Sequence, residues 1–247
     1  MDAGAWAVLV TSEHGGNDVP AEHRSLFRGR KALLDSHRGW DPGTLDLAER
    51  LASALGAPLV PSTVTRLLVD LNRSPHNPRV FSDMTRPLPR AERLALLERW
   101  HRPHWDAVRS AIAAGLRERG RVLHLGIHSF TPVLNGVVRK PDVALLYDPA
   151  RAGERALVAS WSPALAAALP SRVVRRNDPY RGNTDGLPTA MRRDLSASRY
   201  LGIEIEIDQR HVGRGGRFPA WVAESLLATL TDVLRRVDPR LALRAHD

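Results

Sequence analysis

The chain contains no cysteine. That excludes disulfides, iron–sulfur clusters, thiolate metal sites and a cysteine nucleophile. Lysine is almost as scarce: Lys31 and Lys140 are the only two, so arginine supplies nearly all of the 36 basic residues. No apolar run approaches the roughly 20 residues that span a bilayer, and no membrane role is expected. Near the start, the apolar stretch Ala5–Thr11 is followed at once by Glu13 and His14, unlike a signal peptide, so the cytoplasm is the expected compartment. Internal repeats and low-complexity linkers are also missing.

What is present is ordinary for a globular protein: 247 residues, 43% hydrophobic and 26% charged. This length suits one generous domain, expected to cover 1–247. The net charge of +9 invites a nucleic-acid reading. The arginines, however, are dispersed among acids with no basic run or arm, the pattern of a solvated surface. A small-molecule partner is the better expectation; oligomeric state is not legible.

Short runs rich in branched residues predict strands at Ala5–Thr11, Val64–Leu71, Val122–His128, Asp142–Tyr147, Arg172–Val174 and Gly202–Asp208. Helical spacing predicts a helix over Asp41–Leu55, with Asp41 as N-cap, Pro42 in the first turn and Gly56 closing it. Arg90–Arg119 predicts one long helix or two, interrupted near Pro103. Glu154–Leu169 and Pro219–Val237 complete the set. Alternating strands and helices imply an α/β sheet covered on both faces, with chemistry at the carboxyl ends of strands.

Four segments offer chemistry there. His14 follows the first strand and precedes Gly15 and Gly16, which let the backbone turn closely around a ligand. On the strand Val122–His128, His124, Gly126 and His128 share one face, and His128 stands at its end. Each histidine alone reads equally as a solvated or core residue. Two at strand ends point to a metal site, and a catalytic zinc takes three protein ligands and leaves a position for water. Asp41 is the first candidate for the third ligand, although a plain N-cap explains it as well. Asn17 is the alternative ligand, and Glu13 could instead orient a ligand.

Alternation in Ile203–Asp208 puts Glu204, Glu206 and Asp208 on one face, where a carboxylate could act as general base or simply wet an edge strand. In Thr65–Ser74, Arg66 and Arg73 could fork a substrate carboxylate, with Asp70 pairing one arginine and fixing its rotamer. Asn177–Gly182 is a turn by composition, and Tyr180 or Arg181 in it could close over a substrate.

Taken together and in order, His14-Gly15-Gly16-Asn17 with Val19-Pro20, Arg38 to Gly43, Thr65 to Ser74, His128 to Pro132, Asn177 to Gly182 and Ile203 to Gln209 resemble the N-formylglutamate amidohydrolase family. The likeness runs from about residue 8 to residue 210. It implies a three-layer phosphorylase/hydrolase-like α/β fold, similar to that of zinc carboxypeptidases, with a mixed central sheet flanked by helices. It also implies metal-dependent hydrolysis of an N-formyl or other N-acyl amino acid, such as N-formylglutamate, on Zn2+ or another divalent metal.

By the order of motifs in zinc carboxypeptidases, His14 and His128 are metal ligands, Arg66, Asn72, Arg73 and Ser129 bind substrate beside Tyr180 and Arg181, and Glu206 or Glu204 is the base. Asn17 stands where those enzymes carry a ligand glutamate, which favours Asp41 as the third ligand; Glu206 is preferred as base. The alternatives are a zinc peptidase or deacylase with another substrate, including short peptides, and a metal-free anion-binding protein on the same fold.

Overall fold

The structure is a computed structural model that describes residues 6–237. Ala5, the expected first residue of the opening strand, lies outside the described residues, as do 238–247 of the expected domain. The elements are β1 (Ala7–Ser12), the short α1 (Lys31–Leu34), α2 (Thr44–Leu55), β2 (Leu59–Pro61), α3 (Arg90–Leu96), α4 (Arg102–Arg119) and β3 (Val122–Phe130). They continue with the two-residue strands β4 (Val133–Leu134) and β5 (Val137–Val138), then β6 (Val143–Leu146), α5 (Ala152–Ala168), β7 (Val174–Arg176), α6 (Leu187–Asp194), β8 (Tyr200–Asp208) and α7 (Ala220–Val237). No helix among the described residues is long and apolar enough to cross a membrane.

Six strands form one mixed sheet in the order β2-β1-β3-β8-β6-β7, and β4 pairs with β5 in a separate antiparallel hairpin. Among the described residues, only the β6–β8 pairing in the large sheet is antiparallel. The central strands β1, β3 and β8 are buried along nearly their whole length because both faces are covered. Leu123, Leu125 and Ile127 of β3 and Ile203, Ile205 and Ile207 of β8 face α2, α5 and α7, where Trp161 is fully buried and donates to Thr229 Oγ1 at 2.9 Å. The opposite face packs Leu9, Val122 and Tyr200 against Trp105, Val108 and Ile112 of α4 and Leu187 and Met191 of α6. By the two-residue period, His124, His128, Glu204 and Glu206 belong to this second face.

The chain leaves β1 for β2 on one side of it and later returns to β3 on the other. The strand order therefore reverses between β1 and β3, and the crevice beyond their carboxyl ends is where such sheets bind ligands. In register, Thr11 lies beside Gly126, and His128 beside Glu206. One sheet thus delivers histidines and acids to the same end.

Two expectations are corrected. Val64–Leu71 is not a strand; Val64 makes a single bridge to Asp18 and the rest turns. Leu67, Leu68, Val69 and Leu71 are all buried, packing with Phe27, Val80, Phe81 and Leu96 into a separate apolar cluster. Local bonds such as Leu68 N–H to Thr65 O and Asp70 N–H to Val80 O satisfy the backbone that a ladder would otherwise serve.

Asp41 is not the N-cap of α2. That position belongs to Gly43 at φ 83°, a left-handed conformation suited to glycine, and the helix starts at Thr44. The later start releases the Asp41 carboxylate for other contacts.

Candidate metal and hydrolase site

The loop after β1 places His14. A Cβ on Gly16 would lie 2.6 Å from the carbonyl oxygen of Thr63, so only glycine lets this loop run so close to its neighbour. Asp41 N–H donates to the carbonyl of His14 at 2.9 Å, which ties the two segments together before any side chain is considered. β3 carries His128 to the same point, and the imidazole centroids of His14 and His128 are 5.4 Å apart.

Nδ1 of His14 and Nδ1 of His128 face Asp41 Oδ2 at 3.4 and 3.1 Å. One donor atom from each of these three residues lies within 4.8 Å of the others, and all three residues are buried. His14 Nδ1 has no hydrogen-bond partner. An unpartnered buried nitrogen aimed at a carboxylate beside a second imidazole is a donor set able to hold a divalent cation, and its chemistry suits zinc.

The far side of each ring is also engaged. His14 Nε2–H donates to Asp70 Oδ1 at 2.8 Å, while His128 Nε2 lies 3.1 Å from Glu13 Oε2. Carboxylates behind histidine ligands fix the tautomer and direct the other nitrogen at the metal. Burial opposes the charged form of His128, but its hydrogen bond to Asp41 and the nearby carboxylate of Glu13 outweigh it and hold its pKa well above the ordinary value. Burial likewise favours neutral Asp41, yet the charge of His14 and the hydrogen bonds of both histidines hold it well below the usual carboxylate range. A cation at this point takes the place of a proton that the pocket already favours.

Asp70 binds on both its oxygens. Its Oδ2 accepts from Arg66 Nη2 at 2.7 Å, and Arg66 Nη1 reaches Asp41 Oδ1 at 3.2 Å. The fork of Arg66 therefore braces two acids of the site and is not free to grip a substrate carboxylate bidentately. Asn72 is similarly occupied, donating to Glu204 Oε1 at 2.9 Å and accepting from Leu187 N–H at 2.7 Å. Ser129 donates to Pro42 O and accepts from Gln209 Nε2.

Asn17 is not brought to the cluster; its amide donates to Leu34 O and Asp35 Oδ1. Arg73, Tyr180 and Arg181 line the cavity of about 160 Å³ that opens over His14, Asp41 and His128. Arg73 donates to Asp185 O at 2.6 Å, and Tyr180 accepts from Arg139 at 2.9 Å.

Glu204 and Glu206 both line this cavity. Glu206 is 7% exposed, and its Oε2 has no hydrogen-bond partner. Burial pushes its pKa up to about 8; His128 opposes, and the charges of Asp41 and Glu204 reinforce the rise. Such a carboxyl holds or releases a proton near neutrality, as a general acid–base group must.

The sequence profile of the N-formylglutamate amidohydrolase family matches residues 6–212. This chain belongs to the N-formylglutamate amidohydrolase family. No curated protein matches it. Among solved structures it is similar to a gene product of Agrobacterium tumefaciens, at 29% identity and TM-score 0.78 over 96% of this chain and 93% of that one. It is also similar to an N-formylglutamate amidohydrolase of Ralstonia eutropha, at 22% identity and TM-score 0.65 over 95% of this chain and 93% of that one. Membership in the N-formylglutamate amidohydrolase family places the chain among hydrolases.

Sequence reasoning missed several residues of this site. The sequence suggests only an arginine as partner for Asp70, which also holds His14. His104, from α4, lies with Nε2 3.9 Å from Glu13 Oε1 and is buried. Gln209 and His37 also line the cavity. Only Gln209 carried a signal, as the residue that ends the acidic alternation.

Proposed function

We propose that this chain hydrolyses the amide bond of an N-acyl amino acid, N-formylglutamate first among them, with a zinc ion held by His14, Asp41 and His128. The observation that carries this reading is the convergence of those three donors beside the unpartnered, proton-poised carboxyl of Glu206. Bound there, the cation supplies Lewis acidity toward the carbonyl and acidifies water.

The protein's own groups do the rest. Glu206 takes the proton of the attacking water on Oε2 and returns it to the leaving amine. Asp70 and Glu13 hold the two imidazoles in orientation, and Arg66 keeps Asp41 and Asp70 charged and in place. Arg73 and Arg181, both facing the cavity, supply positive charge for the carboxylate end of the substrate. Tyr180 stands at the mouth, its hydroxyl held by Arg139.

Metal quantification of the purified protein, coupled to an amine-release screen, tests the proposal. The screen runs over formylated, acetylated and succinylated amino acids, with short peptides as a second panel. Stoichiometric zinc and release from N-formyl amino acids are expected. Release from peptides alone would make the chain a peptidase, and tight anion binding without metal or turnover would make it a binding protein.

A further inference from the structure

Residues Leu97–His101 between α3 and α4 form a π turn, in which the N–H of Arg102 bonds to the carbonyl of Leu97. Pro103 is the local cause: it lacks an N–H, and its ring would strike the carbonyl of Arg99 in a regular helix. A widened turn relieves that clash, and such turns are frequent at functional sites.

Here the turn carries His101 and α4 carries Trp105, and their rings stack with centroids 4.7 Å apart. His101 Nε2–H donates to the carbonyl of Arg73 at 2.8 Å, and Trp105 Nε1–H to the carbonyl of Leu71 at 2.8 Å. Those two carbonyls flank Asn72. The segment from Asp70 to Arg73 has no strand partner, so one side chain from the π turn and one from α4 do for it what a ladder does for a strand. It is also the segment that carries Asp70 to His14, Asn72 to Glu204 and Arg73 to the cavity.

We propose that His101, set by the π turn, is a positioning residue that fixes the backbone of Arg73 and thereby the aim of its guanidinium into the cavity. The kinetic part of this inference rests on the proposed hydrolysis; the structural part does not. His101→Phe keeps a ring against Trp105 and removes the donor, and His101→Gln restores one.

Hydrogen exchange on the full chain should show amides of residues 71–77 exchanging about fivefold faster in His101→Phe, the worth of one lost hydrogen bond, with the rest unchanged. His101→Gln should lie closer to wild type. For the hydrolysis, KM should rise about fivefold in His101→Phe while kcat stays within about twofold.

Unchanged exchange over 71–77 in the folded variant, uniform acceleration over the whole chain, or an unchanged KM overturns the proposal. Equal acceleration in His101→Gln overturns the hydrogen bond as its cause. If His101→Phe does not fold, His101→Met is read by the same criteria. A wild-type protein that hydrolyses no N-acyl amino acid defeats the proposed function, and the exchange result then decides the positioning role alone.

Discussion

Asp70 accepts from the imidazole of His14 on one oxygen and from the guanidinium of Arg66 on the other. A single buried carboxylate therefore links the first histidine of the site to its main cation. Burial favours its neutral form, but Arg66 and His14 together hold its pKa well below the usual carboxylate range. It stays an anion, able to hold the Nε2 proton and leave Nδ1 free.

From this follows a prediction about metal affinity. Asp70→Asn removes the charge behind His14, and Glu13→Gln does the same behind His128. Each should weaken zinc binding about 10- to 100-fold, the usual cost of a lost carboxylate behind a histidine ligand, measured by competition with a chelating dye. Asp41→Asn should weaken it further, since it removes a donor. Affinities for both Asp70→Asn and Glu13→Gln equal to wild type would mean that the metal, if any, binds elsewhere.

Glu206 is predicted to matter for turnover and not for metal. Glu206→Gln preserves its volume but neither takes nor returns a proton. It should retain stoichiometric zinc and lose about 10²- to 10⁴-fold in kcat, the range for a positioned general base. The same substitution at Glu204, whose carboxylate is engaged by Asn72, should cost less. A wild-type kcat in Glu206→Gln would remove it from the mechanism.

Much of this arrangement is legible in the sequence. The apolar stretches of β1 and β3 stand out because central strands are buried on both faces, and His14 and His128 are marked by where those stretches stop. The alternation of Ile203 to Asp208 correctly separates the acids from the isoleucines. Its wet-edge alternative fails, since β8 is interior to the sheet and Asp208 is fully buried. The alternation at Arg66 to Asn72 misleads, because Leu68 is as buried as Leu67 and Val69 in a loop with its own apolar cluster. The contacts of Asp70 with His14, and of His101 with Arg73, join parts of the chain whose meeting no local pattern encodes.

Acid sensitivity should arise partly at His124. Its ring is fully buried between Thr11 Oγ1 at 2.9 Å and the Tyr200 hydroxyl at 2.7 Å. Burial first, with nearby positive groups, lowers its pKa to about 4 from the ordinary 6.5. Below pH 6.5 the unfolded chain binds a proton that the folded chain refuses. The contribution is therefore complete above about pH 6.5, shrinks as pH falls, and is lost once pH passes about 4. Over that window it amounts to about 3 kcal/mol. Urea unfolding at several pH values should show a flatter dependence between pH 4 and 6.5 in His124→Gln than in wild type; parallel curves would refute the assignment.

The last prediction concerns a buried ion pair away from the metal donors. Glu154 is fully buried, and its Oε1 accepts from Arg192 Nε at 2.9 Å and from Gly202 N–H at 3.1 Å. Arg192 also donates to the carbonyls of Gly182 and Gly202, and so fastens the turn bearing Tyr180 and Arg181 to β8. Removing one partner of a buried pair costs about 3–5 kcal/mol when the other charge is left alone; here Arg151 Nε remains 3.4 Å from Glu154 Oε1 and compensates part of it. Arg192→Met should therefore destabilise by less than that range in urea unfolding. If the stranded charge is the main cost, adding Glu154→Gln, which keeps an acceptor for the backbone but no charge, should recover part of it. A double variant no more stable than Arg192→Met would instead assign the loss to the two carbonyls that Arg192 holds.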